Sequence, residues 1–465
     1  MAGISALGVY IPCGRLDAAE LAVVWGRPMG RGKRAVAHYD EDTFTLAVEA
    51  ASRALRACDP SLVRAAFFAT TTPPLHGKSL SALLGPHLDL PAALLPVDLS
   101  GARSGATALL LAGQAVAARG GMALVVAADQ TLAAPGHDLE AQLGDAAVAC
   151  LVTTEVAGVT LLDSYSTAHD FPDLWRRGTE RFVRTHDLRY ALQEGFAAEV
   201  GRGVAAALRQ FGLTPEALAQ VVLASLDQRS AEGPLSGLGF NPKAQLAPSL
   251  NLEVGLPGCA APLLHLAAAL GRAKPGDRLL LVAYGDGVDV LLLQATEQVA
   301  RLAEQAGVAR QLAQGHDLPY PRYLQYRGLI EGAKGTAEPF TSLTMAQREQ
   351  ALYARLHARV CPDCGAVITL DLRVCPHCQG QGPFAERPLS RRGTVFAFTH
   401  EHYFPCPDPP LTVAVVDLEG GGRLSLQMTE ADHETVKVGD PVRLTLRRLH
   451  EASGYPHYYW KCTPA

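Results

Sequence analysis

Long apolar runs are scarce in this chain. The longest, such as Ala106 to Ala118, are broken by Gly and Gln and are too short to cross a bilayer, so no membrane span is expected. An excess of charge is missing too. The 41 Lys and Arg stand against 46 Asp and Glu, which gives nucleic acid or anionic lipid no electrostatic reason to bind. The opening MAGISALGVYIP has no basic stretch ahead of its apolar residues and meets Pro12 early. No secretory signal is expected there, and the cytoplasm is the expected compartment. Glycine-rich stretches such as SGLGF and EGGGRL lack Walker or GxGxxG spacing, so no nucleotide cofactor is expected. Only 19% of the 465 residues are charged and 48% are hydrophobic, which excludes disorder as the dominant state. At roughly 150 residues per domain, that length suggests about three domains.

What is present is unevenly spread. Of the 10 cysteines, Cys13, Cys58, Cys150 and Cys259 are scattered singly, Cys361, Cys364, Cys375 and Cys378 are grouped, and Cys406 and Cys462 follow. In a cytoplasmic chain this pattern favours metal or buried thiols over disulfides. The first 300 or so residues alternate helical periodicity with short, nearly continuous apolar strands (AAFFATTT, ALVVAAD), the mark of a sheet covered on both faces. The pattern then recurs. ALRACDPSLVRAAFFATT from Ala54 parallels ALRQFGLTPEALAQVVLASL from Ala207, and VVAADQ from Val125 parallels LVAYGD from Leu281, at offsets of 153 and 156 residues. Nearly equal offsets with the same element order indicate an internal duplication.

Residues 316–350, rich in Pro, Tyr, Arg and Gly, read as a connector, and TMAQREQALYARLHAR (344–359) as a helix leading into the cysteine group. CPDC and CPHC are two CxxC knuckles ten residues apart. Four thiolates from Cys361, Cys364, Cys375 and Cys378 close a tetrahedral shell around zinc and leave no open position, so a structural role is expected. His377, inside the second knuckle, is read as a solvated loop residue. From Arg391 onward, alternating strands and glycine-rich turns predict a small β-barrel.

Several segments carry a resemblance. ALGVYIPCGRL, ATTTPP, VDLSGARSGATALLLA, VVAADQ, GDAAVACLV and VAYGDGVDVLLL occur in the order expected of the hydroxymethylglutaryl-CoA synthase family, within the thiolase superfamily. SRRGTVFAFT, TVAVVDLEGGGRL and VKVGDPVRLTL resemble the rubredoxin-like zinc ribbon and OB-fold family that accompanies thiolases. The resemblance implies an α/β fold: a duplicated five-layered αβαβα thiolase fold followed by a zinc ribbon and an OB-fold barrel. The implied domains are 1–157 and 158–315 for the two halves, 316–350 for the connector, 351–385 for the ribbon and 386–465 for the OB-fold. It also implies CoA thioesters as ligands, a thiolase subunit as partner in acyl-CoA C–C bond chemistry, and a homodimer, for which Ala106 to Val126 is apolar enough.

The Claisen chemistry of the superfamily needs a thiolate, an acid/base and oxyanion donors. By resemblance the thiolate's turn is Asp98 to Gly105, and Arg103 stands where the cysteine would be, with Ser104 beside it. Thr71 stands at the place of the glutamate and Asp227 at that of the histidine, and Leu256-Pro257-Gly258-Cys259 replaces an Asn-Thr-Gly-type loop. The expected side chain is absent from each of these places, which points to a pocket without the usual chemistry. Cys259 is the one cysteine with a plausible catalytic place. Cys150 and His265 read as core, and His76 could reach a pocket mouth. Three functions follow: a non-catalytic or atypical subunit that binds CoA thioesters and partners an active thiolase; an active acyltransferase using Cys259 or Ser104; or a nucleic-acid binder. Residues 386–465 hold nine Lys/Arg against ten Asp/Glu, which does not favour the last.

Overall fold

Strands that are apolar on both faces must be covered on both, and the duplicated pattern meets that need twice. The computed structural model describes residues 1–465 apart from Ala57, Thr179, 331–340 and Pro405; the side chain of Gln228 is also outside the described residues. It divides into two compact units: Met1–Ala37, Leu46–Gly85 and Leu90–Tyr323 form the first, and His38–Thr45, Pro86–Asp89 and Leu324–Ala465 the second. This division falls at 323/324, inside the stretch read as a connector, and draws two short N-terminal stretches into the second unit.

The first unit is built on a nine-stranded sheet in the order Leu95–Leu99, Val63–Ala69, Met122–Gln130, Asp145–Thr153, Gly3–Tyr10, Val159–Ser166, Val288–Ala295, Arg278–Tyr284, Gln220–Leu223. The halves join where Gly3 and Ile4 pair antiparallel with Thr160 and Val159. Outward from that seam, both halves pair antiparallel, antiparallel, then parallel. The duplication thus extends to strand sense. The loops agree as well: in each half a helix (Thr43–Leu55, Ala198–Phe211) leads through a one-turn 3-10 helix opening on Pro60 or Pro215 into a strand.

Helices Ser104–Arg119 and Ala261–Ala269 share one core cluster with strands of both halves and form the middle layer. Ala198–Phe211 packs with the opposite face of the second half. Against the first half, Gly8 lies so close to the Thr43–Leu55 helix that a Cβ there would come within 2.0 Å of the Ala50 carbonyl. Helix, sheet, helices, sheet, helix make the five layers. The apolarity of Ala106 to Val126, read from sequence as a dimer surface, is largely taken up inside the chain. Ala106, Ala108, Leu109, Ala112 and Val116 are at most 3% exposed, and strand Met122–Gln130 lies between two others. The sheet's edges are Leu95–Leu99, where Leu95 is 44% exposed, and Gln220–Leu223.

In the second unit, the helix read over 344–359 is two short helices, Leu343–Arg348 and Gln350–Tyr353, followed by strand His357–Val360. That strand pairs with Val367–Ile368 and Ala385–Pro388 around the cysteine group. Five further strands run in the order Arg423–Gln427, Leu411–Leu418, Arg392–Glu401, Pro441–Ala452, Tyr455–Pro464. A parallel bridge from Met428 to Cys462 draws the two ends of this sheet together, as in a small barrel. The other face of its last two strands, opposite Leu444, Leu446 and Trp460, buries charge against the 38–45 stretch. Lys461 reaches Asp40 at 2.9 Å, and Arg447, 0% exposed, reaches Glu41 at 3.0 Å and Glu430 at 3.2 Å. His38 lies between Asp40 (2.7 Å) and Asp408 (3.0 Å). Burial alone would raise the Asp40 pKa, but Lys461, His38 and Arg447 overcome it and hold the carboxyl well below the usual range.

Candidate functional site

A cavity of about 340 Å³ opens at the carboxyl ends of the strands of the first unit. That is where ligands bind in sheets of parallel type, because the strand-to-helix turns converge there. Thr71 and Thr72 follow strand Val63–Ala69, Ser100 to Ala102 follow Leu95–Leu99, Ser225 follows Gln220–Leu223, and Tyr284 to Asp286 end Arg278–Tyr284. Leu256, Gly258 and Ala261 line it from the turn into the second middle helix, and the 173–196 stretch covers it mostly with apolar side chains.

One carboxylate ties these turns together. Asp129, fully buried at the end of strand Met122–Gln130, accepts hydrogen bonds from the hydroxyls of Thr70, Thr71 and Thr72 and from the backbone N–H of Thr71, Thr72 and Cys259, all at 2.7–3.0 Å. Gly258 is needed beside it: its φ is +45°, and a Cβ would fall 2.0 Å from Asp129 Oδ2. In the sequence, VVAADQ marks the duplication and the family order, without singling out Asp129. A lone acid closing an apolar strand was the signal available.

The residues singled out from sequence separate on inspection. Thr71 lines the cavity, with its hydroxyl held by Asp129 at 2.9 Å. Arg103 does not line it. Its guanidinium turns to the Thr167 carbonyl and to Asp289 at 3.5 Å, and the residues of that turn that line the cavity are Ser100, Gly101 and Ala102. Ser104 is 2% exposed in the first turn of the helix. Asp227 is exposed and caps helix Gln228–Gly237, while its neighbours Ser225 and Leu226 line the cavity. Cys259 is 0% exposed. Burial raises its thiol pKa well above the usual value, the Asp129 charge adds to this, and the Ser104 hydroxyl offsets it only in part. A thiol kept protonated and out of reach of solvent is a poor nucleophile.

Cys150 is likewise buried, its pKa pushed up to about 12 by burial. His265 packs in the core with Nδ1 at 2.8 Å from the Ala261 carbonyl, and His76 is exposed and does not line the cavity.

None of the titratable groups of the wall stands out in the sequence: Asp173 and Arg176 fall in 167–190, which carries no clear period, and Tyr284 and Asp286 lie at the end of a strand quoted only for the duplication and the family order. Asp173, Arg176, Tyr284 and Asp286 all line the cavity. Burial raises the Asp173 pKa, and the charge of Asp286 adds to it. Burial also raises that of Tyr284, with Asp173 the largest charge acting on it. Asp286 holds φ +48°, an uncommon conformation for a residue with a side chain and one often found at functional sites.

In the second unit, the sulfurs of Cys361, Cys364, Cys375 and Cys378 lie within 4.8 Å of one another, with Cys361–Cys378 at 3.6 Å and Cys364–Cys375 at 3.7 Å. Thiolates about 2.3 Å from a tetrahedral ion sit about 3.8 Å apart, so the donor set fits such an ion. The two knuckles repeat one turn. The N–H of Gly365 bonds to the Cys361 carbonyl and that of Gln379 to the Cys375 carbonyl, both at 2.9 Å, with φ of +71° and +61°. His377 is exposed and outside the cluster.

The profile of the ChsH2 C-terminal OB-fold domain matches residues 386–447. The hydroxymethylglutaryl-CoA synthase of Pyrococcus horikoshii is 30% identical over 318 residues, covering 65% of this chain and 89% of that protein. That of Methanosarcina barkeri is 29% identical over 346 residues, covering 70% and 98%. Among solved structures, MvaS in complex with 3-hydroxy-3-methylglutaryl coenzyme A superposes with a TM-score of 0.64 at 23% identity, covering 73% of this chain and 94% of that one. The curacin-pathway HMG synthase in complex with acetyl donor-ACP gives 0.63 at 19% identity, covering 70% and 88%. These structural likenesses bear out the thiolase-type fold, and the profile bears out the OB-fold.

Proposed function

Because the chain belongs to the hydroxymethylglutaryl-CoA synthase family, we propose that its cavity binds a CoA thioester but forms no acyl-enzyme, and that the chain partners an active thiolase in making or breaking acyl-CoA C–C bonds. One observation carries this reading. The turn that enters helix Ser104–Arg119 offers the cavity Ser100, Gly101 and Ala102 but no thiol, and Cys259, whose N–H bonds to Asp129, is fully buried. Arg103, paired with Asp289, is permanently charged and cannot carry a thioester. Thr71, committed to Asp129, cannot move a proton as a carboxylate would. The same burial disfavours an enzyme that uses Cys259 or Ser104 as nucleophile.

The four thiolates suit a structural zinc that supplies folding energy to the ribbon and no chemistry. The thiolase partner rests on the resemblance of the C-terminal module to the family that accompanies thiolases. A homodimer would use the open edge strand Leu95–Leu99, whose unpaired backbone groups invite a neighbour. Among the described residues no helix is long and apolar enough to cross a membrane.

Mass spectrometry of the purified chain after incubation with acetyl-CoA tests the reading, alongside binding by calorimetry. Binding without a covalent acyl adduct is expected. An adduct on Cys259 or Ser104 that disappears, with turnover, in the alanine variant would overturn it.

A further inference from the structure

The cavity at the strand ends is larger and more apolar than a small acyl group needs. An apolar cavity of about 150 Å³ already takes benzene, and this one has about 340 Å³. An acetyl group would leave most of that space unfilled, and side chains beside a void forgo their contacts. The covering stretch gives the space its character. Leu174, Val183, Leu188, Leu192 and Phe196 line it from there, and Leu226 lines it from beyond strand Gln220–Leu223. None of these side chains has a hydrogen bond to offer. Of the polar groups among them, Arg176 is committed to the carbonyls of Glu180 and Thr71, at 2.7 and 2.9 Å, and the Asp173 carboxylate accepts the Leu174 N–H.

The cover is tied so as to keep this surface open. The Val183 N–H bonds to the Leu132 carbonyl at 2.8 Å, Trp175 exchanges backbone hydrogen bonds with Arg184, and Arg176 fastens the stretch to the Thr71 turn. Residues Ala191–Ala197 form a π-helical turn. Its i→i+5 bonding brings residues five apart onto one side, and Ala191 and Phe196 both line the cavity, with Leu192. Such bulges are frequent at functional sites. A tethered cover cannot collapse onto a small ligand, so the ligand itself has to fill the space.

Resting on the CoA-thioester reading above, we propose that the thioester this cavity selects carries a hydrocarbon acyl group of roughly eight to ten carbons. The pantetheine arm is no substitute there: its amides would be buried against leucines without partners, which is costly. The hydrocarbon gains with every methylene covered, about fourfold in affinity when fully buried. The polar lining, at the turns of Thr71, Thr72 and Ser100, is left for the thioester and the arm.

Calorimetry with the full chain tests this, using acetyl-, butanoyl-, hexanoyl-, octanoyl-, decanoyl- and palmitoyl-CoA, each below its micellar concentration. Octanoyl-CoA should bind about 10²-fold or more tighter than acetyl-CoA, and the gain should level off near decanoyl-CoA as the cavity fills. Leu192→Trp, which takes up cavity space, should narrow the octanoyl-to-acetyl ratio by about tenfold. Leu188→Ser, which removes apolar wall without adding bulk, should narrow it by about fourfold or more. A merely structural role would weaken both esters alike and leave the ratio unmoved, and the wild-type series decides alone if a variant does not fold. Octanoyl-CoA binding no tighter than acetyl-CoA, a gain that runs on undiminished to palmitoyl-CoA, or a ratio unmoved by both variants overturns the proposal and leaves CoA-thioester binding standing. Failure of every ester to bind overturns both readings.

Discussion

Cys259 in the first unit and Cys375 in the second are both 0% exposed, yet their surroundings suit opposite ends. Cys259 is alone among the turns that Asp129 gathers, and the nearby carboxylate raises its pKa. Cys375 has three other sulfurs within 4.8 Å, held by two matching turns. Burial therefore does not decide what a thiol does. A solitary thiol beside a carboxylate stays neutral and inert, whereas four converging thiols need a cation to be stable as thiolates. The difference can be broken or sharpened at specific residues.

The largest effect is expected at the knuckles. Cys361→Ser or Cys375→Ser removes a thiolate from a site whose binding energy, roughly 10 kcal/mol or more for structural zinc, is also folding energy. Metal analysis should show one zinc per wild-type chain and none in the variants. Limited proteolysis should then cut within 351–385 while the first unit keeps its own unfolding transition. Variants that retain zinc would mean the motif has been misread. Cys259→Ser, by contrast, should change neither metal content nor acylation.

Carboxylates repeat the contrast. Asp129 is held by neutral donors, Asp40 by cations. Lys461→Met leaves Asp40 buried with part of its compensation gone and should cost about 3–5 kcal/mol in the second unit's transition, read by chemical denaturation. The same cluster sets a pH window. Asp40, depressed in the folded chain, contributes stability that is present above its unfolded value of about 3.9 and is lost as pH falls toward its lower folded value. For His38 the largest influence, burial, lowers the pKa, but Asp40 and Asp408 outweigh it and raise it to about 10. Its contribution is full below about 6.5 and is lost as pH rises through the folded value. Thermal unfolding of the second unit should therefore weaken in strong acid and again between about pH 6.5 and 10. A flat profile would remove the electrostatic account.

Gly258→Ala acts on the neutral side of the comparison. A left-handed φ and a Cβ 2.0 Å from Asp129 force either the turn or the carboxylate to move, at about 1–3 kcal/mol. Because Asp129 also holds Thr71 and Thr72, acetyl-CoA affinity should fall with stability. Unchanged affinity by calorimetry would separate Asp129 from the cavity.

Periodicity made much of this legible. Apolar strands at near-constant offsets disclosed the duplication, because a strand covered on both faces has little freedom in composition. CxxC spacing disclosed the knuckles, because two thiols of one knuckle must share an ion. The cavity was harder to read. Asp173 and Tyr284 on its wall, and Asp129 buried behind Thr71, come from separate strand ends and an aperiodic stretch, and only the folded turns bring them together. Arg103 was placed correctly at the turn entering a helix, yet which of two adjacent residues lines the cavity depends on backbone direction, which spacing does not give.

That last point sets the smallest effect on stability and the sharpest on chemistry. Ala102→Cys puts a thiol on the cavity wall, two residues before a 16-residue helix whose N-terminal dipole favours a thiolate. It should react with iodoacetamide far faster than Cys259, and stability should change by less than about 0.5 kcal/mol if the sulfur finds cavity space. Arg103→Cys should differ: its side chain points toward Thr167 and Asp289, so the thiol would stand away from the cavity and leave Asp289 without its cation. CoA protects against labelling at 102 if it fills the cavity, and it leaves labelling at 103 unchanged. Neither variant should condense acetyl-CoA with acetoacetyl-CoA, because Thr71 still supplies no proton-transfer group. Equal labelling at 102 and 103, or fast labelling of wild-type Cys259, would show that the thiol contrast does not hold in solution.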